Sequence, residues 1–432
     1  MPTPNLQASR KTKKTTAGDI PVDWGISKLD HVAVVQTGLA KGKQGIKEPV
    51  TMPYLRVANV QDGFFDLSEI KTITVGRSEI ARYSIRKNDV LLTEGGDLDK
   101  LGRGHLWEGQ IEPCLHQNHV FVVRTNPEVL LPVFFALQTA GPHGRNYFLR
   151  CAKRTTNLAS INSSQLKHFP VILPPLREQH AIASISNALD QVLEQQTKLL
   201  AATVARKRGL MQQLLAGQTR FKEFVTSGKK VKTRYGDFPG DWSQVHIGDI
   251  ADEAGKKNGG RRELPVLSCT KHRGLVNSLE YFGKRIFSED TSTYRVVERG
   301  DFAYATNHVE EGSIGYQNLH DAALISPMYT VFRTRAGVDH EFFWKLIKTE
   351  LYRHIFEVNT SGSIARRGAL RWDEFALIKV FLPSVPEQQR IAAVLNACDR
   401  EIELLQKQLE ALKEQKRGLM QKLLTGEIRV KG

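Results

Sequence analysis

One stretch of this sequence occurs twice. Leu173–Phe221 and Leu382–Val430 align over 49 positions without a gap, with 23 identities and a constant offset of 209 residues. Each copy closes on Lys-Arg-Gly-Leu-Met-Gln-x-Leu-Leu, at Lys207–Leu215 and Lys416–Leu424. A fixed internal period means one structural unit used twice, so the fold must hold two copies of it.

Each copy reads as a single helix. Proline precedes it (Pro174 and Pro175; Pro383 and Pro386) and glycine follows it (Gly217; Gly426), the usual start and stop. About forty residues make a rod of roughly 60 Å, long for a domain helix. In the second copy Ile391, Leu395, Cys398, Ile402, Leu405, Leu409, Leu412, Leu419 and Leu423 step by fours and threes, interrupted only at Lys416. Ile182, Leu189, Leu193, Leu200, Leu210 and Leu214 keep the same phase in the first, weakened by Ser186, Gln196 and Thr203 and broken at Lys207. A heptad seam needs a helical partner. The simplest partner is the other rod, giving an antiparallel coiled coil within one chain. Pairing between chains, or packing of each rod on its own domain, would also satisfy the seam.

A weaker repeat lies upstream, Ile20–Trp24 against Phe238–Trp242, at an offset of 218. The chain then divides into a disordered basic arm (1–19), a globular unit (20–173), a rod (174–217), a polar basic linker (218–235), a second globular unit (236–382) and a second rod (383–427). Short strands fill the globular units: PYLRVANV, DVLLT, HVFVV and FPVIL in the first, LPVLSCT, DFAYAT, YTVFRT and IKVFL in the second. Turn dipeptides lie between them, and helices are expected at 134–140 and 342–352. The class is α+β, two globular domains and two long helices with pseudo-twofold repetition.

Charge points to a partner. Sixty-one Lys+Arg against 46 Asp+Glu leave +15, which suits a polyanion such as nucleic acid, although a basic protein without that role is also compatible. No apolar run approaches the roughly 18–20 residues of a membrane helix. The N-terminus lacks the apolar segment of a secretion signal. Four scattered cysteines fit a reducing cytoplasm. Cys114, His116 and His119 have metal-ligand types but lead into a strand-like run, so a structural role is expected and no metal site.

The loops hold the candidate contacts with nucleic acid, because Lys, Arg, Asn, Ser, Thr and His beside glycine suit phosphates and base edges, although a solvated surface turn would account for any single one of them. In the first unit these are Lys41, Lys43, Arg56, Asn59, Arg103, His105, Arg154, Thr156 and Asn157. In the second they are Lys256, Lys257, Ser268, Thr270, Lys271, His272, Asn307, His308, Ser361, Ser363, Arg366 and Arg367. Catalytic signatures are missing: no phosphate-binding Gly-Lys-Ser/Thr loop, no dinucleotide fingerprint, no zinc-protease or esterase motif. Asp89, Glu94, Asp97 and Asp99 cluster without nuclease spacing. No catalytic residue is assigned.

The Pro-x-x-Glu-Gln starts (PPLREQ at Pro174–Gln179, PSVPEQQ at Pro383–Gln389) and the KRGLMQxLL ends resemble the conserved regions of specificity subunits of type I restriction-modification enzymes. PYLRVANVQDG (53–63) and PVLSCTKHRGLVNSLEYFGKR (265–285) are similar to other segments of that family. The resemblance spans residues 20–430. It implies a chain without chemistry of its own that reads double-stranded DNA with two target recognition domains. It also implies partners: two methyltransferase subunits carrying S-adenosylmethionine, and restriction subunits carrying ATP and Mg²⁺. Docking would fall on Glu178, Gln179, Lys207, Arg208, Leu210 and Met211, and on Glu387, Gln388, Lys416, Arg417, Leu419 and Met420. The competing reading is a coiled-coil scaffold that binds nucleic acid without sequence preference.

Overall fold

The structure, a computed structural model, describes residues 5–8, 11–42, 44–96, 101–154, 159–260, 263–361 and 369–431. The chain forms two units. One comprises Met1–Thr197 with Lys407–Gly432, the other Lys198–Gln406. Both rods are single helices, Leu176–Leu215 and Val385–Thr425, and each is divided between the units.

In the first unit the apolar run at Val120–Thr125 is the buried inner strand of a four-stranded antiparallel sheet. It lies between Val90–Thr93 and Ala33–Thr37, and Gly104–Leu106 adds the outer strand. A second sheet pairs Pro49–Leu55 with Lys71–Gly76 antiparallel and with Leu115–His116 parallel. The helices Pro132–Ala140 and Pro142–Cys151 supply Phe134, Phe135 and Phe148 to the main core. Met420, Leu423 and Leu424, from the end of the second rod, complete that core beside Trp24 and Ile182.

The second unit repeats the plan. Tyr329–Thr334 is the inner strand between Ala251–Ala254 and Phe302–Ala305, with Ile314–Tyr316 outside. Leu214 and Leu215, from the end of the first rod, enter its core with Ile247, Phe302 and Phe375. Each globular core is thus closed by the exit turns of a rod that began beside the other repeat.

The rods pair in the expected sense. Within the first unit Lys416 bonds Asp190 and the Gln196 amide donates to Gln408 at 3.2 Å. Within the second unit Lys207 bonds Asp399 and Arg206 bonds Glu401. Numbers rise along one rod as they fall along the other, so the pairing is antiparallel in both units. Ile182, Ile391, Leu395, Cys398 and Leu409 are buried along the seam, and so are Ser186 and Thr203. The two lysines that interrupt the heptads are cross-rod ion-pair donors.

The expected arm and linker are folded where described. Thr12–Thr15 pairs with Gly18–Pro21, and Lys230–Thr233 with Gly236–Pro239. These are one hairpin used twice. In each turn a threonine hydroxyl donates to the glycine carbonyl, Thr15 to Gly18 at 2.7 Å and Thr233 to Gly236 at 2.8 Å. The glycines sit at φ +102° and +116°, where a side chain would be strained. A Lys-rich polar stretch lacks an apolar alternation, and this tight turn is what orders it. Asn5–Ala8 pairs with Ile428–Lys431, so the first strand closes on the last within one unit.

Candidate nucleic-acid interface

Both units carry the same frame. In the first, Arg124 donates from Nε and Nη2 to the buried Asp89 carboxylate at 2.8 and 2.6 Å. In the second, Arg333 Nε donates to the buried Asp301 at 2.6 Å. Each aspartate also accepts the amide three residues before it, Arg86 and Glu298, at 2.8 Å. A charge is tolerated inside because its partner and amide satisfy it.

The loops on this frame differ. In the first unit Lys41 is exposed, its ammonium 5.8 Å from the Tyr54 ring centre. His105 lies on the strand Gly104–Leu106, and burial lowers its pKa. Arg103 is half-buried and reaches the Val57 carbonyl at 3.4 Å. Arg56 pairs with Glu69 at 3.0 Å. Asn59 is turned inward. It is buried and spends its amide on the Asp66 and Glu69 carbonyls (2.9 and 3.0 Å) and its oxygen on the Arg56 amide (2.9 Å). Arg154 lies in the short strand Lys153–Arg154. Lys43, Thr156 and Asn157 fall outside the described residues.

In the second unit Lys256 and Lys257 are exposed on a cleft of about 970 Å³ whose arginines, Arg295, Arg333 and Arg335, are paired with Glu253, Asp301 and Asp252 of the same lining. Ser268 and Thr270 shape a hairpin rather than project from it. Ser268 donates to Ser278 at 3.1 Å, and Thr270 bonds the Gly274 carbonyl and the Arg273 amide at 3.2 and 3.1 Å. Lys271, His272 and Arg273 form the exposed tip. Arg273, 5.7 Å from the Tyr281 ring centre, was not among the expected contacts. Asn307 and His308 are exposed on the neighbouring loop. Ser361 ends the helix Glu350–Ser361, and Ser363, Arg366 and Arg367 lie outside the described residues.

On the rods the expected docking residues differ in burial. Glu178, Gln179, Glu387 and Gln388 are buried and bonded within their own units. Gln179 accepts the Leu131 amide at 2.9 Å, and Gln388 accepts that of Asp339 at 2.8 Å. Glu178 and Glu387 receive Arg429 and Arg220, the arginines three residues past each rod's closing glycine. Asp23 joins the first of these clusters and Asp241 the second. Asp241 resists the upward push of burial and titrates near 2, because the Thr226 amide and hydroxyl, the Ser227 amide and Arg220 all bond it. Lys207 and Lys416 are occupied between the rods. Leu210, Met211, Leu419 and Met420 face the globular cores. Only Arg208 and Arg417 of the twelve are exposed.

The expected structural role of the Cys-x-His cluster fits the geometry. His116 is buried with Nδ1 2.7 Å from the Val120 carbonyl. Burial raises the Cys114 thiol to about 12, leaving it a poor ligand.

Sequence comparison explains the doubled frame. The model of the type I restriction modification DNA specificity domain matches the chain twice, at residues 21–202 and 239–414. The chain belongs to this family. The specificity subunit of the type I restriction enzyme MjaVIII from Methanocaldococcus jannaschii is 25% identical over 449 residues, covering 95% of this chain and 94% of the relative. The EcoKI specificity subunit of Escherichia coli is 28% identical over 166 residues, 38% of this chain and 36% of its own. The crystal structure of the HsdS subunit from Thermoanaerobacter tengcongensis shares the fold, with a TM-score of 0.55 at 18% identity, over 96% of this chain and all of that one. As a type I specificity subunit the chain is the non-catalytic, DNA-recognising component of its system. Its two specificity domains match a target read in two halves. No helix among the described residues is long and apolar enough to cross a membrane.

Proposed function

We propose that each unit reads one half of an asymmetric DNA target in the cytoplasm, that the paired rods set the gap between the halves, and that two identical methyltransferase subunits dock at equivalent places on the rods. Restriction subunits that translocate and cleave DNA then join. S-adenosylmethionine, ATP and Mg²⁺ belong to those partners. The observation that carries this reading is one frame bearing two different loop sets. Asp89–Arg124 and Asp301–Arg333 are equivalent, whereas the loops differ: Lys271–Arg273 in the second unit is a hairpin tip of three basic residue types, and Gln61–Gly63 in the first unit holds an acidic residue and no basic one. Equal frames give equal partner sites, and unequal loops give unequal half-sites.

Support for docking comes from Gly209 and Gly418. Both sit within a rod, and among the described residues nothing beyond the helix backbone lies within 4 Å of a Cβ built at either. Glycine inside a helix costs roughly 0.5–1 kcal/mol relative to alanine, and packing within the chain gives no reason for it. Close approach of another backbone does. Beside Gly209 lies a groove of about 520 Å³ lined by Arg208, Met211 and Gln212, and at the end of the second rod one of about 190 Å³ lined by Gln421, Leu424 and Thr425.

The test is to produce the chain with its methylating partner and map methylated adenines on random DNA. A target adenine would be flipped from the duplex by that partner. The expected result is one two-part sequence with a fixed gap. Methylation without sequence preference, with affinity governed by salt alone, would favour the scaffold reading instead.

A further inference from the structure

Lys348 follows the helix His340–Ile347 as its C-cap. Its ammonium donates to the Lys271 carbonyl at 2.8 Å and to the Gly312 carbonyl at 2.7 Å, and lies 5.1 Å from the centre of the Trp344 ring. Those carbonyls are 77 and 36 residues away in the chain. Lys271 begins the hairpin tip between Leu267–Thr270 and Gly274–Asn277, and Gly312 closes the loop that carries Asn307 and His308. The two loops abut at this point. A Cβ built on Gly312, at φ +93°, would stand 3.3 Å from the Lys271 carbonyl oxygen. The Lys271 side chain adds a looser link to Glu311 at 4.0 Å. In the first unit the helix Pro132–Ala140 ends on Ala140 and Gly141, which have no side-chain donor to offer.

A charged donor shared by two carbonyls is worth more than a neutral one. Half-buried, with its ammonium over an aromatic ring, it has little freedom to wander. We infer that Lys348 is a positioning residue for DNA recognition, holding the Lys271–Arg273 tip and the Asn307–His308 loop as one surface that reads the second half-site. This rests on the reading of those loops as DNA contacts. Recognition by the second unit then depends on a residue that touches no base, and recognition by the first does not.

The experiment uses the full chain with its methylating partner and selects bound duplexes from a randomised pool, for wild type, Lys348→Met and Lys348→Arg. Hydrogen exchange of the two loops is measured on the same samples. The wild type should select both halves. Lys348→Met should keep the first half-site and lose about tenfold discrimination at one or more base pairs of the second, the scale of one good base contact. Exchange should rise in both loops together. Lys348→Arg, which keeps charged donors, should restore most of the preference. Unchanged exchange in Lys348→Met would remove the clamp, whatever the selection gives. Unchanged second-half preference, or equal loss in both halves, would remove the positioning role. A wild type that selects no two-part target would sink the reading of the units as readers, and this inference with it.

Discussion

Arg429 and Glu178 stand 251 residues apart in the chain and form a two-pronged ion pair, Nε to Oε1 and Nη2 to Oε2, both at 2.7 Å. The same guanidinium bonds Asp23 twice at 2.9 Å and lies 5.3 Å from the Trp24 ring centre. Arg220 makes the equivalent pair with Glu387, both bonds at 2.8 Å, in the other unit. Glu178 and Glu387 are buried, so removing either arginine leaves a carboxylate without its counter-charge, Glu178 keeping only the Trp24 indole at 3.1 Å and the Val430 amide at 3.2 Å. Arg429→Ala should therefore cost about 3–5 kcal/mol and loosen the first unit, and Arg220→Ala should do the same to the second. Denaturant unfolding with hydrogen exchange reads both. A loss below about 1 kcal/mol would mean the clasp is dispensable.

The seam lysines should behave as modest, specific pairs. Lys416 is largely covered but Asp190 is half exposed, at 22% and 57% of their side chains, so solvent screening limits the pair to about 0.5–1 kcal/mol. Asp190→Lys should destabilise by that order, and the exchanged pair Asp190→Lys with Lys416→Asp should recover most of it. A double-mutant cycle without coupling would show that the contact is incidental.

Gly209→Ala and Gly418→Ala should move stability and docking in opposite directions. Each should raise the unfolding free energy by roughly 0.5–1 kcal/mol through helix propensity. Capture of the methylating partner should weaken, and a leucine at either position should weaken it further. Capture that holds or improves as the chain is stabilised would take this face out of the docking site.

His116 should make stability fall in mild acid. Burial lowers its pKa from 6.5 to about 4, the bond to the Val120 carbonyl only partly opposing it. The unfolded chain takes up a proton below 6.5, and the folded chain does so only near 4. Stability is therefore lost as pH falls from 6.5 to 4, by an amount on the order of 3 kcal/mol. Unfolding measured at pH 7 and 4.5 should show this slope in the wild type and a shallower one in His116→Gln. Equal slopes would contradict it.

Rod length should set the gap between half-sites only when both rods change together. Each rod is tied to the other by Lys416–Asp190 in one unit and Lys207–Asp399 in the other. Four residues inserted between Thr197 and Lys198, and four between Gln406 and Lys407, lengthen each helix by roughly 6 Å and turn it about 40° past a full revolution. The preferred gap should grow by one or two base pairs, at about 3.4 Å each. Inserting into one rod alone should bulge it and impair assembly. A methylation series on duplexes of varied gap decides. An unchanged gap with full activity in the double insertion would mean that the rods do not measure distance.

The sequence by itself determined the repeat, the two rods, their seam and the α+β texture, because these rest on local periodicity. Ile391, Leu395, Cys398 and Leu409 were legible as seam and are buried there. The tertiary structure alone decided what the repeated polar residues do. Lys207 and Lys416 read as breaks in the seam and as docking residues, and are bonded across the rods. Glu178, Gln179, Glu387 and Gln388 read as docking residues and are locked inside by partners from about 50 to 250 residues away. Lys41, Lys271 and Asn307 announce loops, but not which loops lie together, and Lys348 gave no signal because its bonds are to backbone carbonyls. A polar side chain's role depends on who is left to satisfy it once the chain is compact. Spacing along the sequence carries the period of a helix or strand but not the identity of a distant partner.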